Sequence, residues 1–189
     1  MDKQKVIEIL KSGQLAVIPT DTQYGLVASA LNKPAVEKVY KLRRRDSEKP
    51  CIILISSLDD LKLFGIDLNH QPQTMNHLLS LWPNPVSVVL PVSDNNFAYL
   101  HRGTNSLAFR MPNNQDLLEI ISASGPIIAP SANFEGHQYA KTIEEAKQYF
   151  GDQVALYIDQ GKLESLPSTV IKIDDGKIEI LRQGAFVVK

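Results

Sequence analysis

The stretch Pro19-Thr20-Asp21-Thr22-Gln23-Tyr24-Gly25-Leu26 directly follows the apolar run Leu15-Ala16-Val17-Ile18. The apolar run predicts a buried strand at 15–19, and the residues after it predict a polar loop. In open α/β sheets, ligands bind where side chains leave the ends of strands and converge on a crevice. Because Thr, Asp and Gly are also common in turns, this stretch alone is equally compatible with an ordinary connection between two elements.

Helical and strand-like patterns alternate along the rest of the chain. Hydrophobic spacing and capping residues predict helices at 2–12, 32–40, 58–64, 73–82, 115–123 and 142–150. Short apolar runs predict strands at 51–55, 86–90, 107–110, 126–129, 154–158, 169–173 and 177–181. A tight turn at Asp174-Asp175-Gly176 would join the last two strands as a hairpin. We therefore expect an α/β fold, a single domain over residues 1–189 with a twisted mixed sheet and flanking helices.

Composition excludes several classes of protein. The 189 residues are 43% hydrophobic, which is enough to bury a sizeable core. The single cysteine, Cys51, excludes an internal disulfide framework, and the four histidines show no metal-ligand spacing. No segment approaches the ~18 apolar residues of a membrane span, and residues 1–5 lack the apolar core of a signal peptide. These features predict a cytoplasmic protein without membrane attachment.

Positive charge is concentrated in residues 38–49. The whole chain has 20 Lys and Arg against 21 Asp and Glu, but this segment has six basic residues and two acidic ones. Within it, Arg43-Arg44-Arg45 follows a predicted helix and is suited to charge-assisted bonds with phosphates. The alternative is a solvated basic helix end that complements the helix dipole, and the run taken alone favours this alternative.

Further polar clusters follow or open later strands. Ser131 and Asn133 come after the strand at 126–129, and in an extended segment both side chains would face the same way, suited to a ribose, base or phosphate. Arg110 ends a core strand, where a charge usually needs an anionic partner. Ser168 and Arg182 lie at the start and at the end of strands in the terminal hairpin. Together these residues predict one crevice with several cations, several hydroxyls and no catalytic dyad.

The usual signatures of nucleotide binding and of serine hydrolysis are missing from the sequence. It contains no GxxxxGK[ST], GxGxxG or GxSxG motif. A phosphate or nucleotide site would therefore depend on the scattered arginines and hydroxyls rather than on a glycine-rich loop.

Seven short segments occur in this chain in a specific order. They are Pro19-Thr20-Asp21-Thr22-x-Tyr24-Gly25-Leu26, Arg43-x-Arg45…Lys49-Pro50, Trp82-Pro83-x-Pro85, Ala108-x-Arg110-x-Pro112, Ser131-Ala132-Asn133, Ser168-Thr169-Val170 and Leu181-Arg182-x-Gly184. In these segments and their order the chain resembles the YrdC-type threonylcarbamoyl-AMP synthases, from about residue 6 to residue 186. It is similar to the short, single-domain form of that family, without the additional carboxy-terminal domain of longer members.

The resemblance implies a fold and an activity. The fold is a YrdC-like twisted mixed sheet around a large, positively charged cavity. The activity converts L-threonine, bicarbonate or CO2, and ATP into L-threonylcarbamoyl-AMP and pyrophosphate, with Mg²⁺ accompanying the triphosphate. Partner proteins then use the product to modify the adenosine beside the anticodon of certain tRNAs, and direct binding of tRNA or double-stranded RNA is a further expectation.

The resemblance also implies roles for individual residues. It assigns L-threonine binding to Thr22, Arg110, Ala129 and Ser168. It assigns ATP binding to Arg43, Arg45, Ser106, Ser131, Asn133, Tyr139 and Arg182. Among these, Arg43 and Arg45, together with Lys49, are expected to be catalytic, with Lys49 near the carbamate or the phosphates. No residue is assigned to a metal.

The chain departs from the family pattern at several positions. Arg43 stands where the family usually has Lys, which replaces a point charge by a planar fork. Asn84 replaces a Gly, and Ser87 replaces a Thr. Glu135 occupies the place of a small residue before glycine, where it could alter the rim of the cavity.

Two readings of other classes remain as alternatives. One is a non-catalytic module that docks tRNA or double-stranded RNA on the basic segment in a salt-dependent way. Against this module, the formal net charge is −1, whereas dedicated nucleic-acid binders are usually basic overall. The other is a hydrolase with Ser131 as nucleophile, for which His137 is the only candidate base nearby. Threonine-dependent release of pyrophosphate from ATP separates the synthase from the RNA-binding module.

Overall fold

The structure of the protein, a computed structural model, describes residues 1–174 and 177–188. Asp175 and Gly176, two of the three residues of the predicted turn, lie outside the described residues. No helix within the described ranges is long and apolar enough to cross a membrane.

Within the described residues, six α-helices and nine strands form the fold. The helices are α1 (Lys3–Lys11), α2 (Lys33–Arg43), α3 (Pro72–Leu81), α4 (Ala98–His101), α5 (Gln115–Ser124) and α6 (Ile143–Phe150). The strands are β1 (Ala16–Pro19), β2 (Tyr24–Ser29), β3 (Ile53–Leu54), β4 (Val86–Pro91), β5 (Ser106–Arg110), β6 (Ile127–Ile128), β7 (Leu156–Tyr157), β8 (Thr169–Asp174) and β9 (Lys177–Arg182). Short 3₁₀ helices cover Leu58–Phe64, Asn95–Phe97 and Gly151–Gln153.

The strands that the structure describes form one mixed sheet in the order β7-β1-β2-β6-β3-β5-β4-β8-β9. The pairs β1–β7, β3–β5 and β4–β8 are parallel, and the other neighbouring pairs are antiparallel. This arrangement confirms the predicted α/β fold with a mixed sheet and flanking helices. The predicted terminal hairpin is present as the antiparallel pair β8–β9.

Side chains that alternate along the strands fill two apolar clusters on the two sides of the sheet. In β1, Ala16 and Ile18 pack in the cluster that contains α1 and α5, whereas Val17 packs in the larger cluster on the other side. Helix α2 contributes Val36 and Val39 to the larger cluster. Burial on both faces explains why these strands have continuous apolar runs rather than alternating polar residues.

Local sequence signals set the start and end of α2. The Asn32 side chain accepts a hydrogen bond from the Ala35 backbone N–H, and Pro34 occupies the first turn. The helix ends after Arg43 because Arg44 adopts the left-handed conformation, with φ 52° and ψ 38°. This change of direction lets Arg43 and Arg45 approach the cavity described below while Arg44 stays exposed.

The structure corrects the prediction that residues after 19 form a polar loop. Only the four residues 20–23 form a turn, and Tyr24 begins the buried strand β2, which pairs with β1. The prediction was wrong because Gly25, Ala28 and Ser29 are weak strand formers and the strand lacks polar alternation. The predicted helix at 58–64 is a 3₁₀ helix, and the short helix α4 was not predicted.

Gly184 provides a test of how the end of the chain is packed. It is buried, and a Cβ at this position would lie 2.2 Å from the Pro167 carbonyl oxygen and 2.5 Å from that of Ser168. Both contacts are with backbone, which cannot move aside cheaply. We predict that Gly184→Ala lowers the free energy of unfolding by about 1–3 kcal/mol, as overpacking does, measured by urea denaturation. The exposed neighbour is the control: Ala185→Ser should change it by less than ~0.5 kcal/mol. Equal midpoints for the two variants would contradict this packing.

Candidate active site

A cavity of about 430 Å³ opens beside the β5-β4-β8-β9 part of the sheet. Its walls come from the turn 20–23, the start of β2, the end of α2, and segments 50–52, 129–131 and 167–168. Four arginines line it, and none of the described residues that line it is an aspartate or a glutamate. The arginines are Arg43, Arg45, Arg110 and Arg182.

Strand β5 supplies one wall through its alternation. Ser106, Ala108 and Arg110 line the cavity, whereas Leu107 and Phe109 are buried in the apolar core. Side chains of a strand point alternately to its two faces, so the core residues fix which residues face the cavity. Arg110 is thereby carried to the cavity by a strand whose other face is fully packed.

The turn 20–23 closes the β1–β2 hairpin and carries Thr22. The Thr20 hydroxyl donates to the Gln23 carbonyl at 2.7 Å and accepts from the Thr22 and Gln23 backbone N–H groups at 3.1 and 3.2 Å. The Gln23 side-chain amide donates to the Ser165 carbonyl at 2.8 Å, which ties the turn to the chain that leads to residues 167–168. The hydroxyl-rich motif therefore builds a rigid corner of the cavity.

Ser131 is positioned by pairing with β2. The Leu26 N–H donates to the Pro130 carbonyl at 2.9 Å, and the Ala132 N–H donates to the Tyr24 carbonyl at 2.8 Å. Gly25 lies opposite Ser131 in this pairing. A strand that was predicted as a loop thus holds one of the predicted ligand-binding residues.

Arg43 is 3% exposed and makes four hydrogen bonds at the end of α2. Its Nε donates to the Ser131 and Asn133 carbonyls at 2.8 and 3.2 Å, and its Nη2 donates to Asn133 Oδ1 at 2.9 Å and Ser131 Oγ at 3.3 Å. Burial, and then the positive charge of Arg45, lower the pKa of Arg43 to about 10. Its buried Nη1 has no hydrogen-bond partner within the described chain.

Arg110 forms a buried ion pair with Asp21. Its Nη2 lies 3.3 Å from Asp21 Oδ1, both side chains are 4% exposed, and its Nη1 donates to Thr22 Oγ1 at 3.4 Å. Burial lowers the pKa of Arg110, Asp21 opposes this shift, and the positive charge of Arg182 adds to it. Arg110 Nε is buried without a hydrogen-bond partner among the described residues.

Arg182 and Ser168 form the opposite wall. Arg182 Nη2 donates to the Ser168 carbonyl at 2.8 Å and contacts its Oγ at 3.3 Å. The Ser168 hydroxyl also pairs with that of Ser87 at 3.0 Å. Loss of solvent around its guanidinium, and then the charge of Arg45, lower the pKa of Arg182.

Nine of the twelve residues that the resemblance assigned to substrates or catalysis line this one cavity. They are Thr22, Arg43, Arg45, Ser106, Arg110, Ala129, Ser131, Ser168 and Arg182. Lys49, Asn133 and Tyr139 are not among the lining residues; Asn133 lies behind Arg43, and the Lys49 side chain is 61% exposed and points to Asp46 and Glu135. The functional role of each residue stays a prediction.

The sequence reasoning did not assign three residues that support the site. Asp21 pairs with Arg110, Gln23 fixes the turn, and Ser87 contacts Ser168. The signal for Asp21 was available, because a cation at the end of a core strand requires a nearby anion. No comparable signal connects Ser87 with Ser168, which meet only through the parallel pairing of β4 with β8.

The described residues contain no group of three or more His, Cys, Asp or Glu that could hold a metal ion. The oxygen ligands that Mg²⁺ prefers in a protein site are mostly carboxylates. The donor set of the cavity therefore does not fit a Mg²⁺ ion held by the protein alone.

The fold and the site define an α/β protein whose mixed sheet carries an arginine- and hydroxyl-lined ligand cavity. The family model Sua5_yciO_yrdC, described as telomere recombination, matches residues 8–184. The chain belongs to the Sua5/YciO/YrdC family, which confirms the resemblance.

Two relatives have the name threonylcarbamoyl-AMP synthase. The protein from Pyrococcus abyssi is 34% identical over 128 residues, which are 67% of this chain and 37% of that protein. The protein from Enterobacter sp. strain 638 is 28% identical over 149 residues, which are 78% of each chain. This chain therefore spans little more than a third of the first relative and most of the second.

Solved structures of two relatives have the same fold. Sua5 of P. abyssi, crystallised with L-threonine, superposes with a TM-score of 0.84 at 29% identity, covering 97% of this chain and 55% of that one. Escherichia coli YciO superposes with a TM-score of 0.80 at 23% identity, covering 100% of this chain and 93% of that one. At 23% identity, the similarity to YciO supports a shared fold and carries no conclusion about function.

The buried pair of Asp21 and Arg110 gives a prediction for stability. Removing one member of a buried ion pair leaves an uncompensated charge, which costs about 3–5 kcal/mol. We predict that Asp21→Ala lowers the free energy of unfolding by about 3 kcal/mol in urea denaturation. Asp59→Ala, which removes an exposed carboxylate paired with Lys62, is the control and should leave the midpoint nearly unchanged. Equal effects of the two substitutions would show that Asp21 does not compensate a buried charge.

Proposed function

We propose that the protein is an L-threonylcarbamoyl-AMP synthase. In this reaction the neutral amine of L-threonine attacks the carbon of CO2, supplied as such or from bicarbonate, and forms a carbamate with release of one proton to solvent. A carbamate oxygen then attacks the α-phosphorus of ATP. The bond between the α-phosphorus and the bridging oxygen breaks, and pyrophosphate leaves with the electron pair. The protein is then a nucleotidyltransferase.

The observation that carries this proposal is the convergence of four arginines in one cavity. Two of them, Arg43 and Arg110, have a buried N–H group without a partner in the described chain. A buried donor without an acceptor costs free energy, and the positive charges of the four arginines around one cavity favour an anionic ligand. A triphosphate together with the carboxylate of an amino acid provides such acceptors.

The cavity has two ends that suit the two substrates. We assign one end to Arg110, which donates to Thr22 Oγ1, together with Ser168 and Ala129; the Arg110 cation would hold the carboxylate of L-threonine. We assign the other end to Arg43, Arg45 and Ser131, which would hold the phosphates of ATP, with Ser106 along the wall. Arg182 contacts Ser168 and acts electrostatically on Arg110 and Arg45, so it would reach the phosphates from between the two groups. Asn133 would act by holding Arg43.

The displacement at phosphorus needs positioning and charge stabilisation more than a protein nucleophile. The arginines would stabilise the negative charge that grows on the leaving pyrophosphate, and the turn 20–23 would orient the carbamate. Lys49 is part of the proposed catalytic set, although its side chain lies at the rim. Mg²⁺ would be held by the triphosphate oxygens, because the cavity has no carboxylate among its described lining residues.

A hydrolase with Ser131 as nucleophile has less support. The Ser131 hydroxyl donates to the Asn133 side-chain oxygen at 2.7 Å. An amide oxygen is not a base and cannot activate the hydroxyl for attack.

The proposed synthase would act in the cytoplasm, and its product would pass to the proteins that modify tRNA.

Arg45 gives the sharpest mutational test of the phosphate end. We predict that Arg45→Ala lowers L-threonine-dependent pyrophosphate release from ATP by at least about tenfold, because a charge-assisted bond to the leaving group is lost. The melting temperature of the variant, measured in parallel, should stay close to that of the original protein.

Arg44→Ala is the matched control for this prediction. Arg44 is exposed, and its guanidinium lies 4.1 Å from the centre of the Phe134 ring, outside the cavity. Its loss should leave pyrophosphate release within about twofold of the original protein, as for a surface substitution. The reverse order, with Arg44→Ala damaging and Arg45→Ala harmless, would contradict the phosphate assignment.

The threonine end predicts a preference among amino acids. L-Valine has the shape of L-threonine but lacks the hydroxyl, so the buried polar groups of Thr22 and Ser168 would lose a partner at a cost of roughly 1–3 kcal/mol. We predict that kcat/KM for pyrophosphate release favours L-threonine over L-valine by about tenfold or more. Ser168→Ala should lower the ratio of kcat/KM for L-threonine to kcat/KM for L-valine. Equal turnover of both amino acids would contradict the assigned pocket.

A further inference from the structure

Two cations and two carboxylates meet at the rim of the cavity. This rim cluster consists of Arg45, Asp46, Lys49 and Glu135. Glu135 Oε1 lies 3.6 Å from Arg45 Nη1 and 3.7 Å from Lys49 Nζ, so a single carboxylate oxygen faces both cations. Arg45 lines the cavity and Glu135 does not, which puts the carboxylate just outside the proposed phosphate end.

Both the backbone and the side chain of Glu135 are held in place by hydrogen bonds. Its backbone N–H donates to the Arg43 carbonyl at 2.8 Å, and its side-chain Oε2 accepts a hydrogen bond from the Asp46 backbone N–H. The side chain is 25% exposed. The carboxylate is therefore a fixed part of the rim rather than a freely moving surface group.

Arg45 is also fixed, and only part of its guanidinium remains available to an anion. Nε donates to the Lys49 carbonyl at 3.0 Å and Nη2 donates to the Pro50 carbonyl at 2.9 Å. The remaining nitrogen, Nη1, faces Glu135 at a distance longer than a hydrogen bond. Two N–H groups on Nη1 and one on Nη2 remain for a ligand, and an anion that binds at Nη1 is opposed by the negative charge of Glu135.

We infer that Glu135 is an internal competitor for the anion at the mouth of the cavity, and that it sets how tightly the phosphate end binds. The inference rests on the proposed function, because it concerns the phosphate end of that site. The Glu135 carboxylate partly neutralises Arg45 and Lys49, and a polyphosphate must compete with this fixed negative charge for both cations. Glu135 thereby weakens the binding of pyrophosphate and favours its release as product.

Glu135→Gln removes the negative charge of the side chain and keeps its hydrogen bonds. The glutamine side-chain oxygen can still accept from the Asp46 N–H, and the backbone bond to Arg43 is unchanged. Only the negative charge opposite Arg45 and Lys49 is removed. Because a damaged rim would bind less well, an increase in affinity cannot arise from structural damage.

Glu164→Gln is the matched control. The Glu164 carboxylate also bridges two cations, Lys141 at 2.6 Å and Lys162 at 3.1 Å, and it does not line the cavity. The substitution therefore makes the same change of net charge and breaks a comparable pair of surface contacts. Any effect of net charge alone will be equal in the two variants.

The experiment is calorimetric titration of the full chain and both variants with inorganic pyrophosphate at low and at moderate salt. We expect Glu135→Gln to bind pyrophosphate about fivefold more tightly than the original protein, with a smaller gain at the higher salt, and Glu164→Gln to bind like the original protein. Unchanged or weaker binding by Glu135→Gln, when the original protein binds, would overturn this inference alone. Absence of pyrophosphate binding in all three proteins would overturn it together with the phosphate end of the proposed function.

Discussion

The guanidinium of Arg43 joins the end of α2 to the segment that carries Ser131 and Asn133, and the cavity depends on this junction. A buried cation is costly unless acceptors surround it, and Arg43 has four such bonds to these two residues. The same segment pairs with β2 opposite Gly25. The helix end, the Ser131 segment and the β1–β2 hairpin are therefore fixed relative to one another, and Thr22 and Ser131 lie on walls of one cavity.

Repulsion among the buried arginines explains how the cavity would favour anionic ligands. Burial lowers the pKa values of Arg43 and Arg110, and repulsion from Arg45 and Arg182 respectively adds to each shift. Of these two arginines, Arg110 has a buried carboxylate beside it, that of Asp21, whereas no ion pair of Arg43 is found among the described residues. Anionic ligands would relieve both the repulsion and the unpaired donors, and the arginines would already be in place when charge develops on pyrophosphate. The protein fold therefore holds the four arginines together against their mutual repulsion, and a bound anion would reduce that repulsion.

Local patterns in the sequence predict most of the sheet but only part of the site. The strongly apolar strands, such as β1 and β4, were predicted because β-branched and large apolar residues dominate them. Strand β2 was missed, since its residues Gly25 and Ala28 become strand-like only when neighbours cover both faces. Nine of the residues that the motif resemblance assigned to substrates or catalysis line the cavity. The contact of Lys49 with Glu135, in contrast, joins residues far apart in the chain, and no local pattern of either residue encodes that pair.

The replacement of the family's usual lysine by Arg43 follows the same logic of divided roles. A lysine ammonium is a single point of charge, so bonds to Ser131 and Asn133 would compete with bonds to a phosphate. The guanidinium separates these tasks: Nε and Nη2 make all four of its bonds to the protein, and Nη1 remains without a partner in the described chain. Because the planar group fixes the angle between its nitrogens, the bonds that hold the segment also orient the free N–H. In this chain one residue can therefore hold the cavity wall and still add its positive charge to the cavity.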